Sequence, residues 1–153
     1  MPRASHSATV EAPIEGLWQR LADIESWPRW LSAPYVSESV TLAAPPPPKP
    51  GTELVLKGRL SYRLFARITE WQEGRLLAFE VYRSEYPSDR LFFRRAAIAI
   101  ELEKLGEAQT RVTCRHQVEG RGVLGRLYMA TAFRPFLAAN VRRIVQDLAR
   151  TVR

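Results

Sequence analysis

The chain has 153 residues, of which 46% are hydrophobic and 25% are charged, as is usual for a globular protein with a buried core. Its formal net charge is +7, and no apolar run approaches the roughly 18 residues that a membrane-spanning helix needs. The first residues lack the apolar segment of a secretory signal. We therefore expect a cytoplasmic protein that forms a single domain over residues 1–153.

The positive charge is concentrated in the last part of the chain. Residues 1–110 contain 14 basic and 14 acidic side chains, whereas residues 111–153 contain nine arginines and only Glu119 and Asp147. We interpret this region as a solvated helix face, because lysine is scarce and such arginine richness often reflects genome composition. A weak contact with a membrane surface or RNA is the alternative. The side chains for that contact are three arginines of the last helix: Arg142, Arg143 and Arg150.

The N-terminal region predicts one strand followed by two short helices. The segment SHSATVEA, residues 5–12, alternates in polarity and stops at Pro13, which can occupy the first turn of a helix. Leu17, Trp18 and Leu21 then lie on one helical face. A second short helix is expected to begin at Asp23 and to end at Pro28 or soon after it.

From Tyr35 onward, period-two alternation interrupted by turns predicts a run of antiparallel strands. Residues 44–51 form a proline-rich loop, and residues 51–71 form one long strand or a pair that bends at Gly58. We expect the apolar face of that segment to contain Leu54, Leu56, Gly58, Leu60, Tyr62, Leu64, Ala66 and Ile68. The later strands cover residues 75–85, 90–106 and 110–120. The total is six or seven strands.

The last 30 residues or so predict a long amphipathic helix that begins near Val123 and is kinked or divided at Pro135. Its predicted stripe is Leu127, Thr131, Arg134, Ala138, Val141, Val145, Leu148 and Val152. A sheet with one apolar face must cover that face, and only this helix is long enough to do so. The predicted fold class is therefore α+β, with a curved sheet around the last helix and a cavity between them.

Several segments, in this order, carry a resemblance to a known family: ATVEAPIEGLWQRLADIESWPRWLSAPYV, PGTELVL, ARITEWQEGRLLAFE, LEKLGEAQTRVT and the final GVLGRLY helix. The chain resembles the polyketide cyclase/dehydrase and lipid-transport group of the START-like (SRPBCC) superfamily. The resemblance covers nearly the whole chain and implies the helix-grip fold. No residue matches a catalytic motif that can be transferred position by position.

Family members bind hydrophobic or aromatic small molecules between the sheet and the long helix, and we expect the same of this chain, with a lipid, quinone or polyketide-like ligand. A polyketide cyclase or aromatase is the alternative, because some members are such enzymes. A further alternative is an interaction protein that uses the arginine-rich helix on a membrane, on RNA or on the ribosome. Fold alone does not decide among them.

Four polar residues fall on faces predicted to be apolar: Tyr62, Arg94, His116 and Arg134. We predict that they converge on the cavity, where arginine suits a carboxylate, phenolate or quinone oxygen and histidine can act as an acid or base. Each also has a structural explanation. The Arg94 head can reach solvent at a strand end, Pro135 can rotate Arg134 off the stripe, and His116 can be a hydrogen-bonded core histidine.

The segment DIESWPRWLSAPYV places Trp27 and Trp30 just after the first helical region. We predict that they form a lid over the cavity, although such aromatic residues can equally plug one end of the core. Cys114 is expected to be an inert core residue. With two histidines and no phosphate-binding or nucleophile motif, the sequence predicts no metal and no cofactor. It leaves open whether the protein is a monomer or a homodimer.

Overall fold

The computed structural model describes residues 2–152 and contains one seven-stranded antiparallel sheet with the strand order β1-β7-β6-β5-β4-β3-β2. The strands are β1 (Arg3–Val10), β2 (Ser39–Leu42), β3 (Glu53–Lys57), β4 (Arg63–Gln72), β5 (Leu76–Ser84), β6 (Phe93–Gly106) and β7 (Gln109–Gly120). The helices are α1 (Ile14–Ala22), α2 (Trp27–Trp30), α3 (Pro87–Phe92), α4 (Gly122–Ala130) and α5 (Arg134–Arg150). Short 3₁₀ turns cover Ile24–Ser26, Pro34–Val36 and Arg59–Ser61.

This curved sheet packed against a C-terminal helix confirms the predicted α+β helix-grip architecture. Strands β2 to β7 pair in chain order as a meander, and β1 joins the far edge by pairing with β7. Helix α5 packs against β1 and β7, so it covers the apolar face at that edge. Within residues 2–152, no helix is long and apolar enough to cross a bilayer.

The long terminal helix is divided, as the position of Pro135 predicts. Helix α4 ends at Ala130, and Pro135 lies in the first turn of α5, where its missing N–H leaves no bond unmade. The stripe prediction is wrong in its first half, because the break changes the helical phase. Four of its members are exposed: Leu127, Thr131, Arg134 and Ala138. The buried face of α5 consists of Leu137, Asn140, Val141, Ile144, Val145, Asp147 and Leu148.

Residues 51–71 form two strands that are separated at Gly58, the second of the two predicted arrangements. The 3₁₀ turn after Gly58 interrupts the alternation, so Leu60 is 83% exposed instead of facing the core. Gly58 allows a close approach between loops, because a Cβ atom there would lie 2.1 Å from the carbonyl oxygen of Pro34. The segment Pro34–Val36 is thereby held against β3 and the Arg59–Ser61 turn.

Candidate functional site

A cavity of about 210 Å³ lies between the buried face of the sheet and the N-terminal turn of α5. Its apolar walls come from the strands, the Pro34–Val36 turn and the start of α5: Pro34, Leu64, Val81, Phe93, Ala96, Ile98, Val118, Phe133 and Phe136. Its polar lining residues are Tyr35, Tyr86, Ser88, Asp89 and His116. Apolar walls with a few polar groups are typical of a small-molecule site.

Two lining residues, Tyr35 and His116, are joined by hydrogen bonds through the buried side chain of Asn140. The Tyr35 hydroxyl donates to Asn140 Oδ1 over 2.7 Å, and Asn140 Nδ2 lies 3.2 Å from His116 Nδ1. Because Asn140 Oδ1 accepts from the phenol, its amide N–H group faces the histidine, and Nδ1 must accept. The ring proton therefore resides on Nε2, which has no hydrogen bond to any described residue.

Burial keeps these three hydrogen-bonded side chains uncharged at neutral pH. Desolvation lowers the pKa of His116 to about 4 and raises the pKa of Tyr35 well above its usual value. The imidazole is thus neutral and the phenol protonated under physiological conditions. His116 is therefore suited to donate a hydrogen bond from Nε2 to a ligand oxygen, without introducing a positive charge into an apolar cavity.

The second polar region of the cavity comes from the end of β5, the following Tyr86 and α3. Asp89 accepts a hydrogen bond from the Ser84 hydroxyl, and burial raises the pKa of the Asp89 carboxyl. Tyr86 Oη is buried without a hydrogen-bond partner among the described residues. Because buried polar groups are normally paired, this hydroxyl is available to a ligand.

Of the four predicted polar residues, His116 lines the cavity and the other three do not. Tyr62 is half-buried, and its ring centroid lies 5.1 Å from that of Tyr86. It therefore packs against Tyr86, which itself lines the cavity. Arg134 is exposed as the first residue of α5. The predicted convergence of all four residues is therefore wrong.

Arg94 faces solvent because β6 contains an irregularity at its start. The register shifts between Phe93 and Arg95, so Phe93 and Ala96 point inward while the two intervening arginines point outward. The Arg94 side chain is 68% exposed and lies 3.6 Å from the Glu119 carboxylate. The inward position predicted for Arg94 from strict alternation is wrong.

Trp27 and Trp30 lie away from the cavity, which corrects their prediction as its lid. Trp27 is buried, donates from Nε1 to the Leu21 carbonyl over 3.0 Å and packs against Phe79 with ring centroids 5.7 Å apart. Both tryptophans line a separate void of about 10 Å³ on which Tyr35 also borders. The two tryptophans fill the core next to Tyr35. This is the second arrangement predicted from the sequence, in which they close one end of the core.

Five polar residues of the site were missed from the sequence: Tyr35, Tyr86, Ser88, Asp89 and Asn140. Asn140 was detectable in principle, because it lies three residues after Leu137 and four before Ile144, on a helical face that is otherwise mostly apolar. The predicted stripe contained the exposed Ala138 in place of the buried Asn140. Asp89 had no comparable signal, because it lies in a six-residue helix whose position depends on the surrounding fold.

Cys114 and the other metal-binding residue types form no second site in the described part of the chain. Cys114 is buried as predicted, and burial raises the pKa of its thiol to about 12, so it is not a reactive thiolate. Within residues 2–152, no group of three or more His, Cys, Asp or Glu side chains is placed to hold a metal ion.

Comparisons with known proteins agree with this geometry. The family model described as "Polyketide cyclase / dehydrase and lipid transport" matches residues 1–153. A comparison with curated proteins finds no match. A START superfamily protein from Mycobacterium smegmatis is a similar solved structure, with a TM-score of 0.70, 16% identity, and coverage of 98% of this chain and 96% of that one.

Two solved enzymes are also similar to this chain. The Zhui aromatase/cyclase from Streptomyces sp. R1128 has a TM-score of 0.72, 15% identity, and coverage of 99% of this chain and 96% of that one. Norcoclaurine synthase from Thalictrum flavum, solved with dopamine and hydroxybenzaldehyde, has a TM-score of 0.73, 11% identity, and coverage of 99% and 86%. At these identities the likeness shows the shared fold alone.

Proposed function

We propose that this chain, which belongs to the polyketide cyclase/dehydrase and lipid transport family, binds a compact hydrophobic or aromatic molecule in the cavity between sheet and helix. The observation that carries the proposal is the 210 Å³ apolar cavity, into whose wall a neutral histidine is built. Apolar walls favour transfer of an apolar ligand out of water. The few polar groups then orient the ligand rather than supply most of its affinity.

The size of the cavity narrows the class of ligand. Pockets for drug-sized ligands usually measure about 300–1,000 Å³, whereas this one has about 210 Å³. A bicyclic aromatic ligand suits it better than an extended lipid, which would have to protrude through the opening.

The hydrogen-bonding groups narrow the class further. His116 Nε2 offers a donor, so the preferred ligand has an acceptor such as a ketone or quinone oxygen. Asp89 and Tyr86 offer an acceptor and an unpaired hydroxyl, which suit a ligand hydroxyl. An oxygenated aromatic molecule satisfies both polar regions and leaves its hydrocarbon surface against the apolar walls.

The test uses 1-tetralone and tetralin, two bicyclic probes that differ in one carbonyl group. We expect saturable binding of both by protein-observed NMR titration, with 1-tetralone about three- to tenfold tighter because of the bond to His116. His116→Phe should abolish the preference for the ketone. The absence of binding by either probe and by palmitate would overturn the proposal.

The two faces of β6 supply a matched pair of variants for the same titration. Ala96 is buried and lines the cavity, whereas its neighbour Ala97 is exposed on the other face. Ala96→Phe should fill the cavity and eliminate binding, whereas Ala97→Phe should retain it. Because the larger side chain can destabilise the fold, Ala96→Leu and a thermal melt accompany the pair. Equal binding by all three variants would place the probe elsewhere.

A second candidate is an enzyme of the cyclase type, favoured by two groups able to exchange protons within one cavity. Asp89, as a carboxylate, can accept a proton from a carbon next to a ketone, while His116 Nε2–H stabilises the developing enolate oxygen. The test is deuterium exchange at the C2 position of 1-tetralone in D₂O. Exchange at the buffer rate, with the probe bound, would leave the protein as a binding module.

The remaining expectations from the sequence stay predictions. On α5, Arg142 is exposed, Arg143 is half-buried and Arg150 lies 3.2 Å from the Asp147 carboxylate. Contact of these arginines with a membrane or RNA is a weaker candidate, because the Arg150 charge is already neutralised. A cytoplasmic location and a single domain over residues 1–153 complete the proposal, with either a monomer or a homodimer compatible with it.

A further inference from the structure

Four large aliphatic side chains project into solvent from α3 and α4. We call them the apolar ridge: Leu91, Val123, Leu124 and Leu127. Each is between 60% and 75% exposed. Val123, Leu124 and Leu127 occupy positions i, i+1 and i+4 of α4, so they share one helical face, and α3 packs against α4. A soluble protein seldom exposes such a cluster without a partner.

Four arginines without acidic partners adjoin the apolar ridge along the chain. We call them the basic rim: Arg90, Arg121, Arg126 and Arg134, all exposed. No ion pair joins any of the four to a described residue, and residues 120–146 contain no Asp or Glu. Arginines on the sheet are different, since Arg111 and Arg115 pair with Glu103 and Glu101.

The apolar ridge belongs to a well-packed part of the fold. The Phe92 ring stacks on Tyr128 with centroids 4.5 Å apart, and the Arg121 N–H donates to the Phe92 carbonyl over 2.8 Å. A Cβ atom on Gly125 would lie 2.7 Å from that same carbonyl oxygen. The buried side of α4 is thus already occupied, and its exposed leucines cannot turn into the core without disrupting these contacts.

From this combination we infer that the apolar ridge and the basic rim dock the protein on an anionic lipid surface. Aliphatic side chains insert at the boundary between headgroups and acyl chains, while surrounding arginines contact anionic headgroups. A second copy fits less well, because self-association of this face would bring two basic rims together. An anionic bilayer is complementary to both features at once.

The docking surface borders the cavity. Asp89, two residues before Leu91 on α3, lines the cavity, and so does Phe133, next to Arg134 of the basic rim. Docking would therefore place the opening close to the bilayer, from which an apolar ligand can be taken up. This last step rests on the proposed function, whereas docking itself does not require a ligand.

The test is co-sedimentation of the ligand-free full chain with two kinds of vesicle. One is pure phosphatidylcholine, and the other is phosphatidylcholine with about 30 mol% of the anionic lipid phosphatidylglycerol. We expect binding to the anionic vesicles that weakens at least tenfold as salt rises from about 0.05 to 0.5 M, because the Debye length shortens. Absence of binding to anionic vesicles at low salt would overturn the proposal.

Matched variants separate this surface from general attraction of a basic protein. Leu124→Ser combined with Leu127→Ser should weaken binding about tenfold or more by removing inserted apolar surface, and Arg126→Gln should weaken it about fivefold. The controls are Leu105→Ser, an exposed position near the end of β6, and Arg115→Gln, on β7, which changes net charge as much as Arg126→Gln does. Equal losses in test and control variants would overturn the inference.

Sedimentation velocity without lipid tests whether a second copy of the chain binds to this surface instead. We expect the same sedimentation coefficient for the wild type and the Leu124→Ser, Leu127→Ser variant. A dimer that only this variant abolishes would assign the surface to a second copy and overturn lipid docking. Because probe binding in the cavity is measured separately with 1-tetralone, failure of docking and failure of the proposed function are distinguishable.

Discussion

Tyr35 donates a hydrogen bond to Asn140 across 105 residues of sequence, and this 2.7 Å contact joins the turn at Pro34–Val36 to helix α5. Asn140 in turn donates to His116 on β7. One amide therefore fixes the position of an aromatic side chain and the tautomer of a histidine. Both lie on the same cavity wall.

Loss of the Asn140 amide should destabilise the fold more than loss of either neighbour's hydrogen bond. Asn140→Ala leaves the Tyr35 hydroxyl and His116 Nδ1 unpaired in a buried site, and we expect a cost of about 2–4 kcal/mol in the free energy of unfolding. Chemical denaturation provides the measurement. Tyr82→Phe is the control, because the Tyr82 hydroxyl bonds Glu53 at the surface and should cost little. Equal losses of stability in the two variants would contradict a structural role for the hydrogen bonds of Asn140 with Tyr35 and His116.

Acid should destabilise the protein through His116. Its pKa is about 4 in the folded state and about 6.5 in the unfolded chain, so between these values only the unfolded state gains the proton. The free energy of unfolding should therefore fall by about 3 kcal/mol from pH 7 to pH 4 on account of this residue and level off below that.

Comparison of denaturation curves for wild type and His116→Phe between pH 7.5 and 3.5 isolates this contribution. The unfolding free energy of the wild type, relative to that of His116→Phe, should fall by about 3 kcal/mol from pH 7 to pH 4. His6→Gln, which alters the chain's other histidine, should keep the wild-type slope. A pH-independent difference would show that His116 titrates normally.

Gly58→Ala should disturb the cavity opening more than the core. The added methyl group would meet the Pro34 carbonyl oxygen at 2.1 Å and the Tyr35 Cα at 2.5 Å, so the turn that positions Tyr35 must move. We expect weaker 1-tetralone binding and a loss of stability of about 1–3 kcal/mol. Gly16→Ala is the control, because nothing lies within 4 Å of its added methyl group. Unchanged binding would contradict a role for this contact.

The Cys114 thiol should be unreactive until the protein unfolds. It is fully buried and its pKa is raised to about 12, so both access and thiolate formation are suppressed. We expect no reaction with 5,5′-dithiobis(2-nitrobenzoic acid) at pH 8 in buffer, and one thiol per chain in guanidinium chloride. Fast reaction of the native protein would mean that β7 opens readily.

Much of the architecture could be predicted because it follows from local patterns. Alternation in β1 and β7, the apolar face of α1 and the turn residues each report their own neighbourhood, and antiparallel pairing of successive strands needs only short connections. His116 was placed correctly because β7 keeps its alternation without interruption. Its buried partners were not identified.

The amino-acid sequence by itself determined the order of strands and helices, the sheet-and-helix fold and the apolar character of the interior. Only the tertiary structure decided which polar side chains reach the cavity. A shift of one residue exchanges the two faces of a strand, so the irregularity after Phe93 was enough to turn Arg94 outward. The helix break before Arg134 acted similarly, whereas packing between distant segments brought Tyr35, Asn140 and His116 together.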